Sequence, residues 1–460
     1  MSAAALPDQA NTARRSAPLQ IRVSSLQRVV LWAFIACSCV AFIEPSPYEF
    51  MFLVAALVFA KGGLRFDRAV IPMIVTLAMF NAGGLLALVP WVEERESVTF
   101  VAISIYVAIT AIFFAALIAK NPGERMRTIR SGYVWAGAVA ALLGVLGYFN
   151  VGGLGDHFTV YDNSRASGPF KDPNVFGPFL VPPIIWLTQD ILLKRGVGLL
   201  RALPPLLIMV LGLLLSFSRG AWGAAAASIA MLVALTFLTT SSAALRQRIV
   251  AISVLGLSGL VAFMAIALSI PAIRDVFLVR ASLNQDYDLG ELGRFGAQAR
   301  SIPMLLERPF GFGPLRYDAI FPTAPHEVYI NAFSSYGWLG GLSFVAFTGI
   351  TLYVGCRLVF QRSHVQTEAL AIWSSLLPQM VQGFQIDTDH WRHLYLMFGC
   401  IYGLAAAARI ERQRRGPVKT DRAASRGDEI PDRSTRLRRL DSGTARKSLL
   451  PGPERPSGGS

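Results

Sequence analysis

The chain has 460 residues, of which 53% are hydrophobic and only 16% charged, with a formal net charge of +14. Mean hydropathy is +0.48. Apolar runs recur from residue 29 to residue 408, which excludes a soluble globular domain and points to an all-α polytopic integral membrane protein.

In chain order, Arg14, Arg15, Arg22 and Arg28 lead into the first apolar run, 29–43. No small-residue cleavage pattern follows it and further spans do, so it reads as a retained signal-anchor helix. Apolar runs set against charged breaks predict about twelve helices: 29–44, 48–60, 69–92, 98–119, 133–149, 174–193, 203–217, 220–240, 249–270, 334–360, 369–385 and 393–408. Alternate connections are basic, with Lys61, Arg65 and Arg68, then Lys120, Arg125, Arg127 and Arg130, then Lys194, Arg195 and Arg201, then Arg246 and Arg248. The intervening ones are acidic or lack Lys and Arg, as in Glu93-Glu94-Arg95-Glu96. The positive-inside rule therefore places both termini in the cytoplasm. It places 150–173, the turn at Arg219, the large loop 271–325 and the link 386–392 on the outer, extracytoplasmic side.

The expected organisation is a cytoplasmic segment 1–28, a membrane domain 29–408 whose large loop carries short helices, and a tail 409–460. That tail holds fourteen Lys or Arg against seven Asp or Glu, half the net charge. Its Arg, Ser, Gly and Pro content reads as disordered, held near anionic headgroups as a membrane-lipid contact with no nucleic-acid partner. The four cysteines, Cys37, Cys39, Cys356 and Cys400, lie in apolar runs and read as small buried hydrophobes.

Four polar clusters fall on the predicted extracytoplasmic side. The first, Arg165 to Asn174, joins a Gly-Pro turn to a helix start that Asn174 is suited to cap. The second is Arg219, set between two apolar runs, where a cation is costly and an anion is its natural partner. The third is the loop 271–325 with Arg294, Arg300, Arg308 and Arg316, followed by Pro309 to Pro314 and then by a helix carrying His326, Tyr329 and Asn331. The fourth, Asp387-Thr388-Asp389-His390-Trp391-Arg392-His393, offers two carboxylates and a histidine to a divalent metal, as Asp286 and Asp288 offer a second pair.

Together, the order of RASGPFKDPNVFGPFL, LLLSFSRGAWGA, ERPFGFGPLRY and HEVYINAFSSYGWLGGL resembles the O-antigen ligase and O-antigen polymerase superfamily of bacterial envelope glycosyltransferases, over roughly residues 133–408. The resemblance implies inverting transfer of a glycan from a polyprenyl-diphosphate carrier to a saccharide or lipid acceptor, in lipopolysaccharide or exopolysaccharide biosynthesis. It implies no cofactor and no metal. Arg165, Arg219 and Arg294 match the arginines taken to hold the diphosphate, and Arg219, Arg294 and His326 form the expected catalytic set. Asp389, Arg392 and Tyr329 are expected to support them. Guanidinium groups in a low-dielectric site suit the charge that develops on a departing diphosphate. A histidine, with an ordinary pKa of about 6.5, suits proton transfer from the acceptor. The Asp387–His393 segment resembles the ending of some exopolysaccharide relatives, so ligase and polymerase both stay open. An exporter or flippase of an anionic lipid-linked substrate is the alternative. Against it, no repeat relates the first six helices to the last six, and the charged clusters lie at one face rather than at the midplane. A transferase using a metal at Asp387 and Asp389 is a third reading.

Overall fold

The computed structural model describes residues 10–161, 164–281 and 293–415. In order these form α1 (Ala10–Ala36), α2 (Pro47–Ala60), α3 (Ile71–Leu88), α4 (Arg95–Lys120), α5 (Pro122–Tyr148), α6 (Gly155–Phe158), the two-residue strands β1 (Thr159–Val160) and β2 (Arg165–Ala166), α7 (Pro173–Leu193), α8 (Val197–Leu215), α9 (Arg219–Thr239), α10 (Ala243–Leu268), α11 (Pro271–Ala281), α12 (Arg294–Leu306), α13 (Val328–Phe360), α14 (Gln366–Gln382) and α15 (Arg392–Arg415). The fold is an all-α, multi-pass membrane protein. Each of the twelve predicted segments falls on a helix. Nine helices among the described residues are long and apolar enough to cross a membrane, while α2 and the apolar part of α1 are shorter and α14 has 17 residues.

Local chemistry sets the helix ends. Ser46 and Glu49 form a reciprocal capping box with Pro47 in the first turn of α2. Pro122 in the first turn of α5 starts that helix well before its apolar run, so Arg125, Arg127 and Arg130 are helical rather than loop residues. The α13 helix likewise begins at Val328, ahead of the predicted 334, and α15 continues to Arg415. The predicted first helix ends earlier than expected, passing into a single 3₁₀ turn at Cys37–Cys39. The rest of the tail, like Asp286 and Asp288, lies outside the described residues.

Packing follows membrane rules, with small residues where helices cross. A Cβ on Gly83 of α3 would sit 2.5 Å from the Gly340 nitrogen of α13, and one on Gly340 would sit 2.2 Å from the Tyr336 Cβ, so both positions require glycine. Cys39 and Cys400 are buried and Cys37 half-buried, but Cys356 is exposed. The side chain of Cys356 points away from the protein, a direction that the hydropathy of a lipid-facing helix does not distinguish from burial.

Ion pairs close the end of the bundle that carries the basic connections. Arg28 meets Glu124 at 3.3 Å, Lys194 meets Asp190 at 2.8 Å and Arg409 meets Asp67 at 2.8 Å. Arg130 pairs with Asp190 and also donates to the Trp186 carbonyl at 2.8 Å. The opposite end is tied by the Ala41 N–H on the Pro169 carbonyl at 2.9 Å and by Ser97 Oγ on the Pro314 carbonyl at 3.0 Å. Those contacts join the α1–α2 connection to the segment before α7 and the first turn of α4 to the loop between α12 and α13.

Candidate active site

The turn between α8 and α9 places Arg219. Phe217 takes a left-handed backbone (φ 47°) and Ser218 caps α9 through its side chain, so Arg219 is the first residue of that helix and is half-buried. A second arginine braces the turn from outside. Arg165, only 4% exposed, donates from Nε to the Ser216 carbonyl at 2.9 Å. Its NH2 donates to Asn174 Oδ1 at 2.9 Å, and its guanidinium lies over the Tyr161 ring, 5.7 Å from the centroid. Asn174 is therefore not the helix cap. Asp172 caps α7, accepting the Asn174 N–H at 2.8 Å, because Pro173 takes the first helical position and so puts the cap two residues before Asn174.

The start of α9 abuts the last turn of α14. A Cβ on Gly220 would lie 2.7 Å from Gln382 Nε2, so a larger residue here would have to push the Gln382 side chain aside. Three residues further on, the Gln385 carbonyl accepts from Arg294 NH1 at 3.2 Å. Arg294 opens α12, with its guanidinium 4.9 Å from the Phe295 ring centroid. The α12 helix is fixed by a small separate core in which Ala297 and Leu305 join Phe312, Tyr317 and Phe321. Gln298 Nε2 donates to the Pro325 carbonyl at 2.7 Å, tying α12 to the residue before His326.

His326 is exposed and has a left-handed backbone, φ 45°. Glu327, buried beside it, caps α13 by accepting the N–H groups of Tyr329 and Ile330. The Glu327 N–H in turn donates to Asp387 Oδ1 at 3.1 Å, and the Asp387 carboxyl also takes the His326 N–H. Burial, the Asp389 charge and the nearby Glu327 push the Asp387 carboxyl up to about 7, against the lowering effect of those two N–H donors.

Asp389 accepts from Asn331 Nδ2 at 3.2 Å and from His390 Nδ1 at 3.0 Å, while His390 Nε2 faces the Phe100 carbonyl at 3.0 Å. Burial works to lower the His390 pKa, but the Asp389 charge and these hydrogen bonds outweigh it and the net shift is upward. Arg392 turns toward α2, where it meets Glu49 at 2.5 Å and Ser46 Oγ at 3.1 Å. Tyr329 packs its ring 4.7 Å from Phe384. Among the described residues no group of three or more His, Cys, Asp or Glu is arranged to hold a metal ion.

The Pro309–Pro314 loop locks onto a break in α13. At Gly337 the backbone turns to φ 64°, and a Cβ there would strike the Pro309 carbonyl at 2.5 Å. The N–H groups of Phe312 and Gly313 donate to the Ser334 carbonyl at 2.8 and 3.1 Å, and that of Trp338 to the Pro309 carbonyl at 2.8 Å. Arg316 then pairs with Glu94 over the Trp91 ring.

The connector 382–389 is thus the hub. It touches the start of α9 beside Arg219, holds Arg294, and receives the His326–Glu327 backbone. Arg165 joins through Ser216. Sequence reading missed Gln382, Gln385 and the backbone role of Asp387, because their partners lie far away in the chain. The one local signal was Glu327 placed just ahead of an apolar helical run, an acidic cap by composition.

Residues 204–345 match the O-antigen ligase family model. The match takes in Arg219, Arg294 and His326, leaves Arg165 and the 382–389 connector outside, and supports the similarity of this part of the chain to the O-antigen ligase/polymerase superfamily. That family implies membrane glycosyltransferase activity with a lipid-linked glycan donor and an acceptor. No curated protein matches the chain.

Proposed function

We propose that the protein is a metal-independent, inverting glycosyltransferase of the bacterial inner membrane. In this reading it moves a glycan from a polyprenyl-diphosphate carrier to a saccharide or lipid acceptor at the periplasmic face, with both termini cytoplasmic. The acceptor oxygen attacks the anomeric carbon, the bond from that carbon to the diphosphate oxygen breaks, and polyprenyl diphosphate leaves. Attack opposite the leaving group inverts the configuration. His326 takes the hydroxyl proton. Arg219 and Arg294, each at the first residue of a helix whose N-terminal dipole also favours negative charge, stabilise the departing diphosphate. Arg165 holds the Arg219 turn and adds positive charge beside it. Asp389 and Tyr329 hold the start of α13, and Arg392 ties the start of α15 to α2.

The observation that carries this reading is the connector 382–389, which joins the Arg219 helix start, Arg294 and the His326 turn in one run of contacts. The test uses purified protein in liposomes with a polyprenyl-diphosphate-linked glycan and its acceptor. Release of polyprenyl diphosphate with extension of the acceptor, undiminished by EDTA, is the expected result. Movement of intact donor across the bilayer without product would contradict it, and loss of product on chelation with recovery on adding Mg²⁺ would remove the arginine-only scheme.

A further inference from the structure

We infer that Asp387 is a positioning residue that holds the His326 turn in register with the arginines. The inference rests on the functional reading above, and it concerns a residue with no assigned part in the transfer.

His326 occupies a left-handed backbone conformation (φ 45°) that a non-glycine residue adopts only when its surroundings impose it. Five successive N–H groups show what imposes it. Those of His326 and Glu327 go to the Asp387 carboxyl. That of Val328 goes to the Gly383 carbonyl at 2.8 Å, and those of Tyr329 and Ile330 go to Glu327. A free helix start leaves such donors to water. Here three of the five are taken by the connector after α14, the same segment whose Gln385 carbonyl holds Arg294 at 3.2 Å and whose preceding Gln382 abuts Gly220. Asp387 therefore fixes where the imidazole leaves the backbone relative to the diphosphate-binding groups. Proton transfer is sensitive to such placement, whereas donor binding through the arginines is not.

Three variants test this in purified protein by separating kcat from donor KM, with donor binding also measured in the absence of acceptor. Asp387→Ala removes both acceptors and is expected to lower kcat about 100-fold, with donor KM and affinity within about twofold. Asp387→Asn keeps an oxygen for the Glu327 N–H and should recover kcat to within about tenfold of wild type. Asp387→Glu keeps the charge but displaces it by a methylene, and should fall below Asp387→Asn. Should Asp387→Ala fail to fold, the order of the other two still decides. Wild-type kcat in Asp387→Ala, a loss confined to donor binding, or Asp387→Glu outperforming Asp387→Asn would each overturn the inference. A wild-type protein that released no polyprenyl diphosphate would instead fail the functional reading, so the two failures are distinguishable.

Discussion

The two ends of the helical bundle handle charge differently. At the basic end, Arg28, Arg130, Lys194 and Arg409 each meet a carboxylate on a neighbouring element or the next turn. At the other end, Arg165 and Arg294 donate to the Ser216 and Gln385 carbonyls, and carboxylates such as Asp172, Glu327 and Asp387 serve backbone N–H groups. Arg316 and Arg392 at that end pair with Glu94 and Glu49, and these two tie helices and loops together. Ion pairs fasten helices; backbone capture fixes the direction in which a helix start presents its side chains.

That difference predicts different consequences for substitutions. The largest effect belongs to His326→Ala, expected to reduce transfer by about 10²–10⁴-fold, the usual range for removing a general base. Thermal stability should hardly change because the side chain is exposed. A variant with normal turnover would remove the proton acceptor from the scheme. Asp190→Ala, at the other end, strands two cations and should destabilise the protein by roughly 1–3 kcal/mol, less than a fully buried pair because both partners retain some water. Its specific activity at low temperature should stay near wild type, as thermal unfolding in detergent and parallel assays would show.

A pH effect on stability comes next. Burial raises the Asp387 carboxyl from 3.8 to about 7, so the folded protein binds that proton more tightly than the unfolded chain. Stability from this group is full below about pH 4 and falls as pH rises to about 7. The upward shifts of Glu327 and His390 act in the same direction. The unfolding temperature should therefore be higher at pH 5 than at pH 8, with a smaller difference in Asp387→Asn. A reversed slope would contradict the buried carboxyl. The smallest effect is expected from Lys171→Ala, whose 2.8 Å pair with Glu44 is more than half exposed on both sides. The expected change is within about 0.5 kcal/mol.

Much of the fold was legible because membrane burial writes itself as apolar runs, and all twelve predicted segments are helical. Their ends were less legible. Arg125 and Arg130 read as loop because hydropathy registers the membrane-embedded stretch and is blind to amphipathic turns beyond it. The start of α13 was hidden for the same reason, since Glu327, Tyr329 and Asn331 interrupt the apolar pattern. Arg219 stood out as a cation between two apolar runs, and the structure makes it a helix start. Asp387 did not stand out as a positioning group. Its partner Glu327 is sixty residues away in the chain, and a D-x-D pattern alone reads equally as loop solvation or a metal pair. Asn174 was misread as the cap, two positions late, because Pro173, which cannot donate, opens the helix and leaves the cap to Asp172.

The most direct test is glycan transfer by Arg219→Ala beside wild type, in membranes where both are shown to insert in equal amount. A loss of about 10²–10³-fold is expected, the scale of removing one preorganised donor to a developing anion, with partial activity in Arg219→Lys. Full transfer by Arg219→Ala would contradict it.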